Sequence, residues 1–188
     1  MNFNKILIYA IPVLAVFGAQ AMEHQGSIVI NNYNSEVDIT VEQILKDNWS
    51  SLYQGKDYDR EFAKQHLIRA VKPLKENRSK ETERTIKVLR NNEQICGFIT
   101  YYFFPEGANQ GEQRGYIELL AVDEMQRRKG YAKQLMQNAI EKLQQKNPKK
   151  IEIFAAKDNE ISKALYKKLG FEQVQEGQRM VKLELPMA

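Results

Sequence analysis

Residues 127–132 read Arg-Arg-Lys-Gly-Tyr-Ala and join an apolar run to a helix-periodic one. Upstream, Gly115–Val122 is a nearly continuous apolar stretch of strand length, the pattern of a strand covered on both faces. Asp123–Gln126 is a loop. Downstream, Ala132, Leu135, Met136, Ala139, Ile140 and Leu143 recur at helical spacing and form one apolar stripe. Asn147-Pro148 ends that helix. A second strand follows over Lys150–Ala156, then Asn159 and a short helix closing on Leu169-Gly170-Phe171. The unit is β-α-β. A Gly at the helix mouth lets the backbone approach a ligand, and the free N–H groups of the first turn favour an anion of phosphate size. Arg127, Arg128 and Lys129 add charge for that anion.

Two nucleotide motifs place phosphates at such a turn. The P-loop ends in Gly-Lys-Ser/Thr, but Gly130 is followed by Tyr131. The dinucleotide fingerprint needs three glycines and an acidic residue at the end of the next strand, and this turn has one glycine and no such acid. Neither fits.

The stretch Leu120–Ala132 instead resembles the CoA-pyrophosphate motif of the GNAT superfamily of acyl-CoA N-acyltransferases, Arg/Gln-x-x-Gly-x-Gly/Ala, placed after a strand ending in Ala-Val. Asn159–Phe171 resembles the family's second motif, Asn-x-x-Ala-x-x-Leu-Tyr-x-x-x-Gly-Phe, with Ser162 where Ala is usual. The two motifs span residues 115–175, and elements of the right kind extend the match to roughly 27–185. The resemblance implies an α/β (α+β) fold of order β-α-α-β-β-β-α-β-α-β, a mostly antiparallel sheet with a central splayed parallel pair. Periodicity alone supports only a mixed α/β or α+β domain.

The remaining segments are consistent with one domain. Ser27–Tyr33 is a strand; Asp38 or Thr40 caps a helix running through Ile44 to Trp49. Asp59–Leu74 has a helical stripe, and Glu76–Glu83 is a charged linker. Thr85–Leu89 and Gln94–Phe104 form a hairpin joined at Asn91-Asn92, and Arg179–Leu185 is the last strand. Residues 1–21 stand apart. Met1–Lys5 is a cationic n-region, Ile6–Phe17 an apolar h-region, and Ala19-Gln20-Ala21 an A-x-A site, together a bacterial-type signal peptide. The expected domain is 22–188, exported to the periplasm or beyond. The alternative is an uncleaved anchor that leaves the domain in the cytosol, where acetyl-CoA resides.

The formal charge is +4 with basic residues scattered rather than striped, so no nucleic-acid footprint is indicated. With Cys96 alone, neither an intramolecular disulfide nor a thiolate metal cluster can form, and a packed small hydrophobe is expected there. His24 and His66 are far from the motifs in sequence, so neither a Cys–His nucleophile nor a metal is expected.

Acyl transfer from a thioester to an amine needs a neutral amine, a donor to the developing oxyanion and a proton for the leaving thiolate. The resemblance implies that Tyr166 protonates the CoA sulfur. It implies that backbone amides from Arg128 through Lys129, Gly130, Tyr131 and Ala132 to Lys133, beside Arg127, hold the pyrophosphate. Backbone groups of Leu120, Ala121 and Val122 would pair with the pantetheine arm, and Asn159 would contact it. Glu118 interrupts an apolar strand and is expected either to serve as base or amine-orienting carboxylate, or to be paired. Strand alternation places it on the face of Leu120 and Val122. By family analogy Tyr101–Phe104 and the loop to Gly111 approach the acceptor, of which alternation allows about half to line a cleft. The expected activity is acetyl transfer from acetyl-CoA to a primary amine of a small molecule or protein, by a monomer or homodimer. The alternative is a non-catalytic acyl-CoA-binding module.

Overall fold

The computed structural model describes residues 27–34, 40–49, 83–107 and 112–187. The N-terminal segment 1–21, Asp38, the expected helix 59–74, residues 76–82 of the linker and positions 108–111 lie outside the described residues.

Seven strands form one sheet: β1 (Ile28–Asn32), β2 (Glu83–Asn91), β3 (Gln94–Phe104), β4 (Arg114–Val122), β5 (Lys150–Ala156), β6 (Glu172–Glu176) and β7 (Met180–Pro186), in the order β1-β2-β3-β4-β5-β7-β6. Every neighbouring pair is antiparallel except β4 with β5. Helix α1 (Thr40–Asp47) covers one face; α2 (Tyr131–Gln144) covers the other, and side chains of α3 (Glu160–Lys168) join the core on α2's side. The mixed α/β fold with a central parallel pair is the expected one.

Each face has its own core. On the α2 face, Leu135, Met136, Ala139 and Leu143 pack against Leu89, Ile99, Tyr101, Ile117, Ile151 and Ile153. On the α1 face, Val41, Ile44, Leu45 and Trp49 pack against Ile86, Val88, Phe98, Leu119 and Ala121. Each fully buried Leu or Ile contributes about 1.5–3 kcal/mol of transfer free energy, so the α2 stripe read from the sequence anchors that helix to the sheet.

The β2–β3 turn falls on Asn92-Glu93, one residue later than expected, because Asn91 pairs with Gln94 and Asn92 takes the left-handed conformation at φ 55°. α1 ends at Asp47 rather than running to Trp49, where Asn48 Nδ2 donates to the Ile44 carbonyl at 2.8 Å and closes the last turn. β6 has no counterpart in the sequence reading. All five of its residues are exposed, so no apolar alternation marks it.

Two bulges shape the centre. Leu89 faces Gly97 while Arg90 faces Ile95, so Cys96 is the extra residue there. Its thiol is buried, and burial pushes its pKa up, as befits an inert packed group. In β4, Thr100 faces Leu119 while Tyr101 faces Ile117, so Glu118 is the extra residue. Close by, β3 and β4 approach so tightly that a Cβ on Gly97 would sit 2.7 Å from the Ala121 carbonyl oxygen. Gly97→Ala is expected to lower unfolding free energy by about 1–3 kcal/mol, read from a urea titration. An unchanged midpoint would show that the strands part freely to admit a methyl group.

Candidate active site

The parallel ladder is short. It runs from Arg114 opposite Lys150 to Ile117 opposite Ile153 and stops. β5 continues to Ala156 against β7, and β4 continues to Val122 against β3. The strands therefore part just after Ile117 and Ile153. Residues 118–122 of β4 have an edge facing β5 that no ladder occupies. The bulge at Glu118 begins that open stretch.

The open edge leads straight into the turn before α2. Asp123 accepts from Met125 N–H at 2.8 Å and starts a single 3-10 turn over Glu124–Gln126. Arg128 then takes a left-handed conformation at φ 64°, and Gly130 takes another at φ 81° as the N-cap of α2. No side chain caps α2, and its first turn carries no acidic residue. The first intrahelical bond is Gln134 N to Gly130 O. That pattern leaves the amides of Tyr131, Ala132 and Lys133 directed outward at the positive end of a fourteen-residue helix. A Cβ on Gly130 would meet nothing within 4 Å, so conformation, not space, selects glycine.

The basic side chains divide their work. Arg127 Nη2 donates to Asn48 Oδ1 at 3.2 Å and ties the turn to the end of α1. Lys129 Nζ donates to Gln126 Oε1 at 2.8 Å across the turn. Arg128 is exposed. Tyr131 turns inward instead: it is buried in the α2-face core, and its hydroxyl accepts from Asn91 Nδ2 at 3.1 Å. Its side chain is thus part of the packing, and only its main chain faces the turn.

Asn159 caps α3, its Oδ1 accepting from Ser162 N–H at 3.1 Å. Tyr166, one turn beyond Ser162 on α3, is 6% exposed, with its ring 6.1 Å from that of Phe171. Burial pushes its phenol up to about 12, and a hydrogen bond from the Ser162 side chain pulls in the opposite direction.

Glu118 is not on the face of Leu120 and Val122, as alternation predicted. The bulge breaks the alternation and turns Glu118 to the α1 face, with Leu119 and Tyr116. There Arg84 donates to one carboxylate oxygen, which also accepts from Thr100 Oγ1 at 3.1 Å, while Tyr102 donates to the other at 2.9 Å. Thr100 Oγ1 in turn accepts from Leu119 N–H at 3.1 Å, satisfying an amide that the bulge displaces. The carboxylate is thus both paired and placed at the mouth of the gap. Tyr102 lies well above the usual phenol range, first through burial and then through the Glu118 charge. Burial, with Glu118 and Glu152, pushes Tyr116 up to about 12.

Alternation sorts the aromatic run as expected: Tyr101 and Phe103 pack on the α2 face, whereas Tyr102, beside Glu118, and Phe104, stacked on Tyr102, stand on the α1 face. Sequence reasoning missed Arg84, Thr100, Tyr116 and Phe154. Tyr116 and Phe154 carry a period-2 signal in strands read only as apolar. Among the described residues, no group of three His, Cys, Asp or Glu side chains could hold a metal ion, and no helix is long and apolar enough to cross a membrane.

The sequence profile of the Acetyltransferase (GNAT) family matches residues 40–171. The chain belongs to the GNAT acetyltransferase family. Solved structures share this GNAT fold over nearly their whole length. The PaiA N-acetyltransferase of Thermoplasma acidophilum, in complex with coenzyme A, is 16% identical, with TM-score 0.66 over 86% of this chain and 99% of that one. PH1933 from Pyrococcus horikoshii OT3 is 23% identical, with TM-score 0.65 over 86% and 99%. A chain of the NatC complex, bound to Gag peptide and CoA, is 20% identical, with TM-score 0.64 over 86% and 99%. No curated protein matches the GNAT chain by sequence.

Proposed function

We propose that this protein transfers an acetyl group from acetyl-CoA directly to a primary amine. The observation that carries the reading is the continuity of an unladdered β4 edge with an uncapped helix mouth, an arrangement suited to an anion: residues 118–122 run into Gly130 and the outward amides of α2. A pantetheine arm could add to that edge as a strand would, with its pyrophosphate at the helix mouth. The relatives solved with CoA support the same cofactor.

The chemistry follows from what stands around the gap. A Lys-type amine, with a pKa of about 10.4, arrives mostly as ammonium. Glu118 is suited to attract and orient that ammonium; with Arg84, Thr100 and Tyr102 already on its oxygens it is held rigidly rather than left as a mobile base. After the amine gives up a proton to solvent, its lone pair forms the C–N bond at the thioester carbonyl. The C–S bond breaks with its electron pair on sulfur, Tyr166 hydrogen-bonds that sulfur, and the second amine proton balances the thiol. The route needs no covalent enzyme intermediate, in keeping with the buried, inert Cys96.

Calorimetry with acetyl-CoA, paired with a thiol-release assay over a panel of primary amines, tests this. Saturable CoA binding with thiol release for at least one amine is the expected result. Binding without turnover for any amine would leave only a CoA-binding module.

A further inference from the structure

The first residues past the parting of the two central strands are Glu118 on β4 and Phe154 on β5. Both lie on the α1 face: Glu118 through its bulge, and Phe154 because its neighbours Ile153 and Ala155 point into the opposite core. Phe154 is 42% exposed, an unusual state for a large ring in the middle of a sheet. Its ring stands edge-on to Tyr116, with centroids 6.2 Å apart, and Tyr116 lies 5.9 Å from Tyr102, which donates to Glu118. A carboxylate and an exposed ring therefore flank one opening, joined by two tyrosines that stay neutral at physiological pH.

The other rings of this row are already engaged. The Arg84 guanidinium covers Tyr102 at 4.8 Å, and that of Arg114 covers Phe104 at 4.7 Å. Beyond Phe154, the charges of Lys150 and Lys182 are met by Glu152 and Glu184, at 2.8–3.2 Å. Glu152 and Glu184 are thereby engaged, so a second ammonium at that end would find no unpaired carboxylate there. A chain of several amines is thus disfavoured, and an apolar body is not.

We propose that the acceptor is a primary amine borne on an apolar, ring-sized body, with its ammonium against Glu118 and its body against Phe154. This rests on the amine-acetylation reading above, and names the substrate class for that site. Phe154 is then a specificity-determining residue. Stacking on an exposed ring corresponds to about a tenfold gain in affinity.

The test compares phenethylamine with putrescine as probe amines. Saturation-transfer NMR on the CoA-saturated protein reads binding, and thiol release reads turnover. Phenethylamine is expected to bind, and Phe154→Ala to lower its selectivity over putrescine about tenfold, mainly through KM. Phe154→Tyr, which keeps the ring, is expected to restore it. Equal binding of the two amines, or selectivity unmoved by Phe154→Ala, overturns the substrate class even if turnover persists. Selective binding without any turnover supports the substrate class while removing the transferase reading, so the two failures are distinct.

Discussion

Gly130→Asp is expected to weaken CoA binding about a hundredfold while leaving the fold nearly as stable as before. Gly130 sits at φ 81°, where a side chain costs about 1–2 kcal/mol, less for Asp and Asn than for other residues. Its Cβ position is empty, so no steric term adds to that cost. A carboxylate at a helix N-terminus regains about 0.3–1 kcal/mol from the dipole. A pyrophosphate held at the helix mouth would face the same carboxylate at a separation on the order of 5 Å, for which Coulomb's law sets the scale. At an effective dielectric of about 20, that repulsion is about 3 kcal/mol, which is more than a hundredfold. Gly130→Asn has the same shape without the charge and should bind CoA within several-fold of the parent. Calorimetry for affinity and thermal unfolding for stability separate the effects. CoA affinity equal in the Asp and Asn variants would mean that the pyrophosphate lies elsewhere.

The second large effect is expected at Tyr166. Tyr166→Phe keeps the buried ring, its contact with Phe171 and the α3 core, and removes only the hydroxyl. Stability should fall by about 1 kcal/mol, the worth of one hydrogen bond to Ser162. If the hydroxyl serves the leaving sulfur, kcat should fall by about two orders of magnitude at unchanged CoA affinity. The acidity adds a constraint on pH. Burial pushes the phenol up to about 12, above its unfolded value, so its contribution to stability is complete below pH 10 and fades as pH rises through 12. The pH–rate profile between 6 and 10 should therefore be set by the acceptor amine, not by this tyrosine. A kcat within twofold of the parent would make Tyr166 a packing residue only.

The parts legible in the sequence were those whose signal is local. Gly130 and the stripe of α2 could be read because left-handed backbone and 3.6-residue periodicity are written into adjacent residues. The family resemblance supplied strand order and the parting of β4 from β5, which no window of sequence encodes. The face of Glu118 was misread because a bulge is a property of two strands together. Thr100 and Tyr101 set its position from across the ladder, and period-2 counting within β4 cannot detect it. β6 escaped notice because an edge strand with all its side chains in water has no need of alternation. The tether from Arg127 to Asn48 links residues 79 apart and leaves no mark on either segment.

The brevity of the β4–β5 ladder bears on mechanics as well as chemistry. Strands β1–β4 form one leaf and β5, β7 and β6 another, joined across the sheet by only the four residue pairs from Arg114–Lys150 to Ile117–Ile153. A pantetheine arm lying along residues 118–122 would extend that seam and stiffen the junction. The metabolite would then be a member of the scaffold during each turnover, and the departure of free CoA would loosen the sheet at the place where the next acceptor must enter.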